Sequence, residues 1–366
     1  MFASPGEQMY NLCDQKEAQT FPKFCFIQTN KRIEHTNMIT LPLILFIVMA
    51  ELAVGAFGVL FALDWRNQVK RSFLVTYGII YLFFAGLTYL FQQNFSTADL
   101  LNTFVLLDHS WTGYLAPTLL LFLLLMLPYN LFLWMDKKAG IDGKAKHEEE
   151  TQSPARLSAI RLLRMISGVL ATLAGLATIL AIGMIYRPLA SSGIAEAFTV
   201  AGFFAAMLAL GGVLTAMWLG HWYLVTPALS EKPLQFAARL VLIGVLAQVV
   251  CFGVTTSLGS TASAQPSSAT TSPAPATSTP AVHAATPVPG EVKPVGAPQV
   301  APLSTDALSW LHILVSFVFP LILLGFILKL IHDRSFQSAT GMLYLVVVLT
   351  LAGEAMARGL FLIGLQ

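Results

Sequence analysis

Three ionisable residues lie inside apolar stretches of the chain. Glu51 sits in Met49-Ala-Glu51-Leu-Ala-Val-Gly55, and Glu354 and Arg358 sit in Ala352-Gly-Glu354-Ala-Met-Ala-Arg358-Gly-Leu-Phe361. An ionisable side chain at the centre of a bilayer costs roughly 2.5–3.5 kcal/mol on insertion scales, so it persists only with a partner or a task. Glu354 and Arg358 are four residues apart, which puts them on one helix face with the acid first, the favourable order. Glu51 has no partner within its own helix. It either reaches Arg358 across a helix interface, or is protonated, or lines a wet cavity. The chemistry open to such a trio is proton acceptance and the holding of a ligand oxygen.

Histidine is the next residue type with chemistry to offer. His109 (Leu107-Asp108-His109-Ser-Trp111) and His312 lie near one end of their apolar stretches, His221 (Gly220-His221-Trp222-Tyr223) and His332 near the other. His109 with His312, or His221 with His332, would crudely match two haem ligands at a common depth. All four sit at stretch ends, where His, Trp and Tyr are ordinary interfacial residues, so haem is not expected. No Cys-x-x-Cys, His-Glu-x-x-His, phosphate loop or Ser-His-Asp arrangement occurs. A metal site and a hydrolytic or nucleotide-driven enzyme are therefore not expected, nor is a nucleic-acid partner.

The elements that must position these groups are transmembrane. Hydrophobic residues make up 56% of the chain and charged ones only 11%, and the mean hydropathy is +0.70. A helix needs roughly 20 apolar residues to cross the hydrocarbon core. Eight stretches meet that requirement: Ile39–Leu63, Ser72–Phe91, Tyr114–Trp134, Ile160–Tyr186, Ile194–Val225, Leu234–Ser257, Leu308–Ile331 and Ser338–Gly364. The expected fold is an all-α integral membrane protein, a bundle of eight transmembrane helices in a bacterial plasma membrane. At about 1.5 Å per residue, Glu51 and Glu354 lie roughly 18 and 15 Å from the same end of their helices, a shared depth near the midplane.

Basic residues give the orientation. Loops one, three, five and seven hold Arg66, Lys70 and Arg71, then Lys137 to Arg164, then Lys232 and Arg239, then Lys329 and Arg334; loops two, four and six hold only Arg187 and Lys293. By the positive-inside rule the odd loops are cytoplasmic and both termini lie outside. Arg161 and Arg164 are expected at headgroup level, anchoring the fourth helix.

Four parts make up the chain: a tail over residues 1–37, helices one to six over 38–258, a linker over 259–305, and the last two helices over 306–366. The tail is unusually basic for an outer segment. Either Cys13 and Cys25 pair as a disulfide, or translation starts at Met38. The linker is built almost wholly of Ser, Thr, Ala, Pro and Val, a composition expected to be disordered. Asn94-Phe-Ser is formally a glycosylation sequon, with nothing else pointing to that modification. Gly168, Gly175, Gly183, Gly202, Ala206, Gly211 and Gly212 are expected to let the fourth and fifth helices approach closely. Cys251 reads as a small packing residue.

The last helix, with Glu354, Arg358, Leu360 and Phe361, and more softly the stretch Pro42 to Gly58, resembles membrane anchor subunits of the dimethyl-sulfoxide and polysulfide reductase type. That resemblance implies a subunit that binds a quinone among its helices and serves an iron–sulfur partner on the outer face. Under it, Glu51 and Glu354 handle protons, Arg358 holds a carboxylate or a quinone oxygen, and Trp111 and Trp310 line an outer pocket. Two other classes remain open: a small-solute or ion transporter using the same carboxylates, and a scaffold with no ligand. Pro117, Pro128 and Pro320 do not form the paired helix breaks that mark many transporter sites. For topology, cysteines placed at 137–153 should resist an impermeant thiol reagent in intact cells, and cysteines at 259–305 should react; the reverse pattern would invert the orientation.

Overall fold

A computed structural model describes the backbone of residues 22–137, 139–140, 154–190, 192–225, 230–263 and 305–363, and side chains from residue 41 onward within the bundle. Cys13, most of loop three and most of the 259–305 linker fall outside the described residues. The described chain is helical: α1 (Pro22–Trp65), α2 (Arg71–Phe95), a single turn α3 (Ala98–Leu101), α4 (His109–Met135), α5 (Pro154–Tyr186), α6 (Gly193–Val225), α7 (Lys232–Ser263), α8 (Thr305–Ile313), a π-helical segment Leu314–Val318, α9 (Phe319–His332) and α10 (Phe336–Ile363). Lipid offers no hydrogen bonds to the backbone, so each crossing must satisfy its own amides, which a helix does.

Among the described residues, eight helical spans are long and apolar enough to cross a membrane: Leu41–Trp65, Arg71–Phe95, His109–Met135, Ala159–Leu189, Gly193–Val225, Lys232–Leu258, Ala307–His332 and Phe336–Leu362. Each overlaps one of the stretches read from the sequence, and the chain is an integral membrane protein. Helix α1 begins well upstream of its span. Residues 22–37, expected as a tail, continue the helix because no Gly or Pro interrupts the chain between Pro22 and Pro42, and Pro22 occupies the first turn, where its missing N–H costs nothing.

The bundle is built from two sets of four spans. Helices α1, α2, α4 and α5 contact one another in a ring, as do α6, α7, α9 and α10, and the rings meet where α1 packs against α6. The apolar window of α1 is 72% buried, against 28% for α4 and α7, which makes α1 the central helix. The outer helices turn rows such as Leu121, Leu124, Leu127 and Leu131 outward, as expected of surfaces that face acyl chains.

Glycine decides how closely the two rings approach. A Cβ on Gly55 would fall 1.9 Å from the Met207 carbonyl oxygen, and one on Gly211 would fall 2.0 Å from the Gly55 carbonyl carbon. The α1 and α6 backbones therefore touch. The sequence places the small residues on the right helices but gives them the wrong partners. Gly211 meets α1, Gly212 meets Val241 of α7, and Gly168 and Gly175 meet side chains of α1 and α4; only Gly183 lies against α6, at Val200.

Arg164 corrects a second expectation. It does not face outward as an anchor but is 1% exposed, with Nη1 3.0 Å from Asp136 and Nε 3.4 Å from Asp64. Tyr129 donates to the same Asp64 oxygen at 3.1 Å, and Arg71 donates to the carbonyls of Asp136 at 2.9 Å and Trp134 at 2.5 Å. Carboxylates at the ends of α1 and α4 make burial of the guanidinium tolerable. Nearby, Gly140 at φ +74° pairs with Lys70 and ties the first loop to the third.

Gly211→Ala should destabilise the detergent-solubilised protein by about 1–3 kcal/mol, because the clash is with backbone and no rotamer change relieves it. Gly58→Ala, where an added Cβ meets nothing within 4 Å, is the matched control. Equal thermal unfolding of the two variants would refute the close crossing.

Candidate ligand and proton site

Arg358 joins the two glutamates named from the sequence. Its Nη2 donates to Glu51 Oε1 across the α1–α10 interface and lies 2.7 Å from Glu354 Oε1 in its own helix. Of the three readings open for Glu51, the structure shows the first. The guanidinium carbon sits 3.8 Å from the centre of the Phe203 ring of α6, a cation–π contact of the kind that strengthens when desolvated. Gln248 of α7 donates from Nε2 to Glu354 Oε2 at 2.6 Å. Four helices thus meet at one cluster. Glu51 is fully buried, and Glu354 and Arg358 are nearly so.

Two carboxyls to one guanidinium leave one negative charge to be offset. In apolar surroundings an uncompensated charge is expensive, and a proton or a cation would offset it. Glu51 Oε2 and Arg358 Nε have no hydrogen-bond partner among the described residues. The site is incompletely satisfied.

A cavity of about 450 Å³ opens beside the cluster, between α6, α7, the π-helical segment and α10. That volume lies in the range of small-molecule sites. Phe198, Phe252, Phe317 and Phe361 form aromatic walls; Gln248, His312, Ser316, Glu354 and Arg358 supply polar groups. His312 is 4% exposed and packs edge-on between Phe252 and Phe317, with ring centroids 5.4 and 5.3 Å away. Its Nε2 and the Ser316 hydroxyl are buried without a hydrogen-bond partner among the described residues. Buried polar atoms are normally paired, so two orphans on the wall of one cavity point to an occupant that pairs with them.

The π-helical segment arises locally. Pro320 has no N–H to give the Ser316 carbonyl, and the ladder here lengthens to an i→i−5 bond, Phe319 N–H to Leu314 O. Such bulges recur at functional sites. Gly353 lets Ser316 lie against α10, since a Cβ there would fall 2.4 Å from the Ser316 hydroxyl.

The remaining sequence candidates lie elsewhere. Trp111 packs at a tilt against Tyr114 of α4, ring centroids 5.7 Å apart, and Trp310 is 68% exposed on α8; neither lines the cavity. His109 is exposed, with its Nε2 2.9 Å from the Phe104 carbonyl, and His221 and His332 are exposed. His312 alone of the four histidines joins the site. Cys251, expected as packing, forms part of the cavity wall. Gln248 and Ser316 went unrecognised, though each is a polar residue inside an apolar span. Outside the cavity, at the start of α4, the Asp108 carboxyl is held below its ordinary value, mainly by the Ser110 hydroxyl and then by Arg187 at 2.8 Å.

No family model matches the chain, and no curated protein is significantly similar to it.

Arg358→Met should cost about 3–5 kcal/mol of stability, because it leaves two buried carboxyls facing each other without a cation. Combining it with Glu51→Gln and Glu354→Gln should restore most of that loss, read as thermal unfolding in detergent. A triple variant as unstable as the single one would show that the cluster is held by something other than charge.

Proposed function

We propose that this protein is a membrane subunit that takes a lipid-soluble quinone or quinol into the cavity and supports an electron-transfer complex, with an iron–sulfur partner on the outer face. The observation that carries the reading is the pair of unpaired buried groups, His312 Nε2 and Ser316 Oγ, in an aromatic cavity that ends on a carboxyl-rich cluster. A quinone head is flat, apolar on its faces and polar at two oxygens. Phe252, Phe317 and Phe361 suit the faces, His312 and Ser316 suit one oxygen, and Glu354 suits the proton that a hydroxyl gives up. Glu51 and Arg358 hold Glu354 in place and share the charge. By the distribution of Lys and Arg, the cavity end of the bundle is the outer one.

A second reading rests on two observations: the negative charge left over in the cluster, and the helix irregularity beside it. Transporter sites combine broken helices with midplane charge, so a small organic cation could be the cargo.

The test is direct binding. A short-chain benzoquinol or naphthoquinol titrated calorimetrically into the purified protein should bind, and His312→Ala should weaken binding by roughly 5- to 15-fold, the worth of one hydrogen bond of about 1–1.5 kcal/mol. Phe252→Ala should weaken it as well. No heat, or binding indifferent to both variants, would remove the quinone reading. Uptake of a small amine into proteoliposomes that is lost in Glu354→Gln would favour the second.

A further inference from the structure

The cavity, the cluster beneath it and the packing below them have a polarity along the membrane normal. Every cavity-lining residue lies between the level of Gly202, Gln248 and Glu354 and the end of the bundle that carries loops two, four and six. At the mouth are Leu189, Ala190 and Ala195, beside the turn that holds Arg187.

On the other side of the cluster the helices close. One turn from Glu51 toward the opposite face, Gly55 and Gly211 bring the α1 and α6 backbones into contact. Gly244 of α7 does the same against Ala209 of α6, where a Cβ would fall 2.6 Å from the Ala209 amide nitrogen. The hydroxyls below are engaged: Thr215 pairs with Tyr81 at 2.9 Å, and Thr350 donates to the Val346 carbonyl at 2.9 Å. Farther along α1, the rings of Phe57, Phe61, Phe122 and Tyr129 pack edge to face and stand before the Asp64–Arg164 pair. A proton needs a file of water or hydrogen-bonding groups to move, and at the level of Gly55, Gly211 and Gly244 the touching backbones of α1, α6 and α7 stand in the way of one.

We infer that the Glu51–Arg358–Glu354 cluster exchanges its proton with one face of the membrane only, the face of loops two, four and six, by way of the cavity. The groups that bear on Glu354 are consistent with this access. Glu51 of α1 and Arg358 of α10 are in the cluster itself, and Tyr186 of α5 stacks on Phe203 beside it, with a buried hydroxyl that has no hydrogen-bond partner among the described residues. His312 of α8 and Cys251 of α7 stand on the cavity side; α6 presents the Phe203 ring and no titratable group at this level. The inference uses the same cavity as the quinone reading but holds for any occupant. A ligand that gives up a proton there returns it to the face from which the cavity opens, so the site does not carry protons across.

Dicyclohexylcarbodiimide, which labels protonated carboxyls in apolar surroundings, provides the test. The protein is placed in sealed vesicles of known orientation with different pH on the two sides, and labelled Glu354 is quantified by mass spectrometry against a Glu354→Gln control. Raising the pH on the face of loops two, four and six should lower labelling by up to about tenfold per pH unit, the limiting slope of one titrating carboxyl. Raising it on the other face should change nothing. Labelling that follows the other face, both faces or neither overturns the inference. One-sided labelling that a short-chain quinol fails to protect counts against the quinone reading and leaves this inference standing.

Discussion

A guanidinium within a bilayer has to be met by carboxylates, and this requirement sets how the helices come together. Arg358 is met by Glu51 and Glu354, with Phe203 against the guanidinium and Gln248 on Glu354, so that one cluster ties α1, α6, α7 and α10. Arg164 is met by Asp64 and Asp136 and ties α5 to α1 and α4. Helix α1 supplies an acid to both cations, which accounts for its central, most buried position. Losing either arginine would strand two carboxyls where water cannot reach them, a much larger penalty than losing one apolar contact.

Packing around that framework is uneven, and the unevenness creates the site. Toward the face of loops one, three, five and seven, α6 presents Ala205, Ala206, Ala209, Gly211 and Gly212, all buried, and α1 and α7 close on them. Toward the other face, Phe198, Phe252, Phe317 and Phe361 are too large to interdigitate that tightly, and the π-helical segment displaces the wall of the seventh span. Small residues draw helices together, large rings and a backbone irregularity hold them apart, and the cavity occupies the difference.

Much of this was legible in the sequence, for a physical reason. Membrane spans announce themselves by length and apolar content, and all eight did. Glu354 and Arg358 were legible because their partnership is local, four residues apart on one helix. Glu51 was legible as costly, but its partner is 307 residues away, and no periodicity encodes such a distance. Arg164 misled because it lies at the end of an apolar run among other basic residues, the usual signature of a headgroup anchor. Only the packing of α1 and α4 against α5 shows that Asp64 and Asp136 wait beneath it. Trp111 and Trp310 were read as pocket residues from their place near span ends, but neither lines the cavity. Gln248 and Ser316 are single polar residues in apolar helices, common enough that only their neighbours reveal them.

The two arginine clusters have the same formal ratio, two carboxyls to one guanidinium, yet their surroundings suit them to different tasks. Around Arg164, Tyr129 adds a donor to Asp64, Arg71 secures the backbone of Asp136, and a belt of aromatic rings separates the group from the bundle interior. Such a cluster fixes the ends of helices. Around Arg358 the only added donor among the described residues is Gln248, and on one side the protein gives way to a cavity whose wall carries two further polar atoms without a partner among those residues. What distinguishes a structural ion cluster from a chemical one here is therefore access. The same charges are sealed at one end of α1, where they clasp helices, and opened to a cavity at its middle, where we propose that they handle a proton.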